Sequence, residues 1–328
     1  MEQSEHSETK QQEQTSNLHG PELMHALQER RRERSTFRRA LYMLRRNYLG
    51  VAGIAILSIV IIMAIFAPLV APHDPSIGSI MDRLQCPVGT SCPVYGAEGE
   101  TFTGTTEHLL GTDQLGRDIL SRIIYGARIS LIVGLTAVAA GAGVGVTLGL
   151  ISAYYGGWMD SLVMRVGEVF LAFPFLLLAI ALMAVLGVGL LNVIMVLAIA
   201  NWILYARIMR GTVLSAKAEE YITAARAIGA RDLSVLFKHL LPNCITPIII
   251  FATFNVAAMI IAEAGLSFLG LGAGTGWGLM LADGRDYVGT AWWLATIPGL
   301  AIMLTVLSIN LIGDWIRDAL DPRLRNLG

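Results

Sequence analysis

Four stretches of this chain, Asn47–Pro72, Ile129–Met159, Val169–Ala206 and Tyr287–Gly313, contain no Asp, Glu, Lys or Arg, and a fifth, Ile245–Ala282, contains only Glu263. A helix needs about 20 apolar residues to cross roughly 30 Å of hydrocarbon. Each stretch is therefore long enough to span a bilayer, and Val169–Ala206 is long enough for two spans, with Gly187-Val188-Gly189 as the turn between them. The Gly-rich second half of Ile245–Ala282 reads as a loop. The expectation is an all-α integral membrane protein with six transmembrane helices. Composition agrees: 15% of the 328 residues are charged and 54% are hydrophobic, whereas soluble domains carry about 25% charged residues.

The charges outside the spans set the orientation, because basic residues collect on the cytoplasmic side. Residues 1–29 are polar and read as a disordered cytoplasmic tail. Residues 30–46 follow, with eight arginines against the single acid Glu33. Phe37, Leu41 and Leu44 recur at helical spacing, so this stretch reads as a basic amphipathic helix on the membrane face, not as a nucleic-acid arm. After the first span (47–72), residues 73–126 hold three basic residues against seven acids and are placed outside. Residues 127–313 form the transmembrane core. Within it, Arg207–Lys238 carries six basic and three acidic residues and is placed inside. Six crossings leave both termini, including the tail 314–328, in the cytoplasm.

Several kinds of chemistry find no support. The chain has no G-x-x-x-x-G-K-[ST] phosphate loop and no G-x-S-x-G nucleophile elbow. Gly141-x-Gly143-x-Gly145 lies inside a span, where small residues permit close helix packing. Gly270-x-Gly272-x-Gly274 precedes no amphipathic helix. His6, His19, His25, His73, His108 and His239 are scattered without ligand spacing, so no metal and no catalytic residue is expected. Cys86 and Cys92, on either side of Pro-Val-Gly-Thr-Ser, are placed in an oxidising compartment, and either a disulfide or two free thiols fits. Cys244 is expected to be a free thiol at the cytoplasmic edge of span five.

The most specific segment lies between spans four and five, residues 215–242. It reads as a helix over Ala216–Ile228, a break at Gly229, a second short helix capped by Asp232, and Pro242 opening the next span. Tyr221, Ala225 and Ile228 share one face, while Ala224 and Ala227 keep the surface low, as suits a helix seated in a partner's groove.

Here the chain resembles the inner-membrane permeases of ATP-binding-cassette importers, whose cytoplasmic loop reads Glu-Ala-Ala, three residues, Gly, then a spacer to Leu-Pro. Ala224, Ala225, Gly229, Leu241 and Pro242 match in register; Thr223 stands where the family has an acid, with Glu219 and Glu220 one turn earlier. Arg45-Arg-Asn47 before the first span, Phe66 to Pro75 at its end, Leu110 to Ser130, Ala172-Phe-Pro174 and Leu266 to Gly272 are similar to the peptide, oligopeptide and nickel branch, and to its C-type permease. The resemblance implies the type I importer permease fold and a prokaryotic cell membrane. It also implies a homologous B-type second permease, two ATP-binding subunits that hold ATP and Mg, and an extracytoplasmic substrate-binding protein. This chain would perform no chemistry and bind no cofactor of its own. The cargo implied is a di- or oligopeptide, with nickel or another small solute as the alternative; an independent secondary transporter is the rival from another class.

Two roles fit Glu263, the acid inside a span: a carboxylate lining or gating the pathway, or a hydrogen-bonded brace for the Gly-rich loop. Asp283, Arg285 and Asp286 are placed in an outer loop, either solvated or touching a binding protein.

Overall fold

The computed structural model describes residues 48–93, 101–272 and 274–320. The chain divides into Met1–Val51 and Ala52–Gly328. Of the first unit only residues 48–51, the opening turn of a helix, are described; the tail 1–29 and the basic helix 30–46 lie outside the described residues. The second unit holds the helical bundle.

The elements run α1 (Tyr48–Ile65), α2 (Ala67–Val70), β1 (Ser91–Pro93), β2 (Thr101–Thr103), α3 (Ile119–Tyr155), α4 (Gly157–Ala172), α5 (Phe175–Leu186), α6 (Leu190–Ala216), α7 (Glu220–Ala227), α8 (Asp232–Phe268), α9 (Trp277–Gly284) and α10 (Trp293–Leu320). Five of these, α1, α3, α6, α8 and α10, are long and apolar enough to cross a membrane. The α4–α5 pair makes a sixth if it counts as one span, bent by 95°. Hydropathy places the third span from Val169 to the turn at Gly187; the pair instead begins at Gly157 and bends between Ala172 and Phe175. The cause of the bend is local: Pro174 holds Phe173 in extended backbone (φ −95°, ψ 137°), which a helix cannot continue through.

Helix α3 is the central strut and packs along α6 and α8, while α8 also packs on α9 and α10. Small residues set the closeness of α3 to α6. A Cβ at Gly145 would sit 2.2 Å from the Trp202 carbonyl, and one at Gly149 would sit 2.5 Å from that of Ala206. The four-residue spacing of Gly141, Gly145 and Gly149 forms this face; Gly143 turns to open space.

Two of the element bounds differ from the hydropathy reading for reasons that can be named. Helix α3 starts at Ile119, ten residues before the uncharged run, because Asp118 caps it by accepting a bond from the Ser121 amide at 2.8 Å. The short helix expected after Gly229 is not separate from span five. Asp232–Phe268 is continuous, with a π-helical turn at Val235–Leu240. That turn absorbs Pro242, which has no amide hydrogen to give the preceding turn. The last helix continues to Leu320, so its final turns occupy the start of the expected tail.

The bundle therefore has two distinct ends. One carries residues 73–93 and 101–118, the start of α3 and helix α9. The other carries the end of α3, helix α7 and the start of α8.

Candidate functional site: the α7 loop and the opposite cap

At the α7 end, α6 stops at Ala216, and Lys217–Glu219 turn into α7, so the single helix expected over Ala216–Ile228 is two. Glu219 is the N-cap of α7 but its side chain makes no capping bond. The chain leaves α7 through a Schellman turn: the Gly229 amide donates to the Arg226 carbonyl at 3.0 Å and the Ala230 amide to Ala225 at 3.1 Å. Gly229 has φ +83° with nothing within 4 Å of a built Cβ, so backbone conformation, not space, requires glycine there.

The faces of α7 differ from the sequence reading. Ile222 and Ala225 are buried, and Ile222 belongs to the same apolar cluster as Val235, Leu236 and Leu240. Ala225 therefore belongs to the inner face, not to a face shared with Tyr221 and Ile228. The open face carries Glu219, Glu220, Thr223, Ala224, Ala227 and Ile228, followed by Leu233 and Phe237. Ile228 is 87% exposed and Leu233 67%. Leu241 is half-buried and Pro242 exposed.

The inner face is tied to the rest of the bundle by groups that spacing did not single out. Asp232 does not cap a helix; Arg231 occupies the N-cap position, and the Asp232 carboxylate accepts from the Tyr154 hydroxyl at 2.6 Å. The Arg226 guanidinium lies 4.9 Å from the Tyr154 ring centre. Lys217 donates to the Tyr154 carbonyl at 2.5 Å, placing a cation on the last turn of α3. Arg210 holds Asp160 of α4 in a two-bond fork of 2.7 and 2.6 Å. Thus α3, α4, α6, α7 and α8 meet at one end as a braced unit.

The opposite end is held together by buried charges. Asp113, fully buried, receives Arg117 Nε at 2.7 Å and also Arg122. Arg122 reaches on to Asp283 at 3.2 Å. Asp283 is thereby a bridge from α9 to α3 and not a member of a solvated loop, while Arg285 and Asp286 remain exposed and pair at 3.4 Å. Trp277 donates to the Ile123 carbonyl at 2.9 Å and Trp293 to that of Thr112 at 3.2 Å. Cys86 and Cys92 are joined by a disulfide with Cα atoms 6.0 Å apart, beside an antiparallel β1–β2 pair in register Cys92 to Phe102. Cys244 is a buried free thiol. The Ser76 hydroxyl and amide both donate to Asp74 and hold its carboxyl below the usual carboxylate range. His73, His108 and Asp118, distant in sequence, come together here.

Inside the bundle, Glu263 is 1% exposed and accepts from Ser267 at 2.6 Å and from Ser130 of α3 at 3.3 Å. It does not line the cavity of about 660 Å³ that opens among α4, α5, α6 and α8. Phe173, Leu176, Leu204, Phe251 and Phe254 line that cavity, and Asn201 and Asn255 are among its few polar groups. These asparagines carry no motif and sit singly in apolar runs, so nothing in the sequence singled them out.

Residues 145–326 match the family model described as the binding-protein-dependent transport system inner membrane component. Residues 35–87 match the N-terminal transmembrane domain of oligopeptide transport permease C. The chain is 42% identical to the dipeptide transport system permease protein DppC of Alkalihalophilus pseudofirmus, over 89% of this chain and 91% of that one. It is 43% identical to the di/tripeptide permease protein DppC of Pseudomonas aeruginosa, over 84% and 89%. It is also 42% identical to the glutathione permease protein GsiD of Escherichia coli, over 86% and 88%. In fold it is similar to a chain of the MetNI methionine ABC transporter in an inward-facing conformation, at 20% identity and TM-score 0.51, over 61% of this chain and 97% of that one. A family model spanning more than half the chain, and relatives matched almost end to end, lead to one conclusion: the chain belongs to the binding-protein-dependent transport system inner membrane component family.

Proposed function

We propose that this chain is one of two membrane permeases of an ATP-driven importer of di- or oligopeptides, forming half of the translocation pathway. The observation that carries the reading is the α7 loop. A short helix with a low, partly apolar open face is braced from behind to α3 and runs through one turn into α8. A push on α7 therefore reaches two spans without first deforming the loop, which is what rigid-body alternating access requires. The similar proteins named for dipeptide, di/tripeptide and glutathione transport support a peptide cargo.

In this reading the α7 end faces the cytoplasm and two ATPase subunits, which hold ATP and Mg; a homologous second permease completes the pathway, and an extracytoplasmic binding protein delivers peptide. Glu219, Glu220, Thr223, Ala224 and Gly229 form the coupling contact with Ile228 and Leu233, while Ala225, Asp232, Leu241 and Pro242 hold it in place. The basic excess of Arg207–Lys238 and the disulfide at the other end support this orientation, with both termini cytoplasmic. The enclosure of Glu263 between two serines supports a brace from α8 to α3, and the asparagines of the cavity take the pathway role instead. A secondary transporter pairs broken helices in two halves; among the described residues there is one bent pair.

Purification in mild detergent, followed by reconstitution into vesicles, tests the proposal. The expected result is co-purification of a second permease and ATPase subunits, with labelled dipeptide uptake that requires ATP and the binding protein. A chain that purifies alone and moves peptide without ATP would overturn it.

A further inference from the structure

His73 lies just after α2, His108 in the cap, and Asp118 at the N-cap of α3. Their ligand atoms all fall within 4.8 Å of one another. His108 Nδ1 is 3.1 Å from Asp118 Oδ1, and His73 Nδ1 is 3.8 Å from Asp118 Oδ2. Tetrahedral zinc, with bonds of about 2.0–2.1 Å, sets its ligand atoms about 3.3 Å apart; the His108–Asp118 pair already stands near that spacing, and His73, now facing Oδ2, has to close in on it.

Three further features suit a metal. His73 Nδ1 is buried and has no hydrogen-bond partner, a lone pair or N–H removed from water with nothing to meet it. Asp118 and His108 are themselves buried. The Asp118 carboxylate is oriented from behind: Oδ2 accepts from the Ser121 amide at 2.8 Å and its hydroxyl at 2.6 Å, which leaves Oδ1 turned to His108. The Ser121 hydroxyl also accepts from the His73 amide at 3.0 Å, so one residue positions two of the three donors.

We propose that His73, His108 and Asp118 form a zinc site, with a water as fourth ligand, that ties the end of the first span to the start of the second. Two neutral imidazoles and one carboxylate give a site of net charge +1 with zinc bound, and hard oxygen-only cations would gain little from the imidazoles. The site stands on the cap alone and does not depend on the transport reading.

The test uses the full chain, with its accompanying subunits, in which His6, His19 and His25 are glutamine. The protein is stripped with chelator and dialysed against Zn²⁺, and metal is counted by mass spectrometry. The expected result is one more ion per chain than in the same protein carrying His73→Gln and His108→Gln, and a rise in melting temperature on adding Zn²⁺ that the variant lacks. Asp118→Asn keeps the helix cap and should weaken binding at least about 10-fold. If the double variant fails to fold, X-ray absorption of the unsubstituted site at one equivalent of zinc decides: two imidazole ligands are expected. Equal zinc content and equal thermal shift in site and variant, or a zinc spectrum with fewer than two imidazoles, would overturn the proposal.

Discussion

The two ends of this bundle use their polar groups in opposite ways. At the cap, charged side chains face one another inside the protein: Asp113, Arg117, Arg122 and Asp283 close a network around a buried guanidinium, and tryptophans and a disulfide lock the surrounding chain. At the α7 end, side-chain bonds brace the inner side, and the outer side is left open, with Glu219, Glu220 and Thr223 beside small and exposed apolar residues. At one end the charges are paired within the chain. At the other they leave an open face, which the proposed reading gives to the ATPase subunits. Substitutions at the cap should therefore cost stability, and substitutions on the open face of α7 should cost function at unchanged stability.

The largest effect is expected for Arg122→Met. It removes a 1%-exposed cation and leaves Asp113 and Asp283 short of a partner, which costs about 3–5 kcal/mol by analogy with other broken buried pairs. Thermal unfolding in detergent should show a much lower midpoint, with Arg122→Lys between the two; an unchanged midpoint would mean the network is ornamental.

Next is Cys86→Ser. Opening a loop of six residues' separation should lose about 2 kcal/mol on the chain-entropy view, and reducing agent should lower the midpoint of the unsubstituted protein equally. At the other end, Gly229→Val forces a branched side chain into φ +83° and should cost about 1–2 kcal/mol, with Gly229→Asn milder because Asn tolerates that backbone. Here uptake should fall further than stability does.

Smallest in stability is Ile228→Ser, which removes an apolar side chain 87% exposed in the chain by itself. The midpoint should stay within about 0.5 kcal/mol of the original, while ATPase subunits should be recovered in lower yield on co-purification. Full recovery would place the docking contact elsewhere.

Much of this contrast could be read from residue order. Uncharged runs located the spans, because a bilayer admits only helices whose apolar length matches it. The backbone turn at Gly229 followed from local propensity, and the family from short motifs. What stayed hidden depended on the third dimension. Ala225 and Ala224 are adjacent and chemically identical, and only the way α7 lies on the bundle buries one and exposes the other. Asp283 reads as a loop acid because its arginines lie more than 160 residues away. His73 and His108 read as scattered because they lie 35 positions apart in the chain. The bend at Phe173-Pro174 was not read from the sequence, and the cavity beside it takes its shape from four helices.

The central claim is that the open face of α7 couples an external motor to the spans. Ala224→Trp tests it most directly, since Ala224 is exposed and a large side chain there disturbs nothing inside the chain. ATP-driven peptide uptake by vesicles holding this variant, at matched protein content and unchanged melting temperature, is the measurement. Uptake reduced to background is the predicted result; uptake equal to that of the unsubstituted protein would contradict the account.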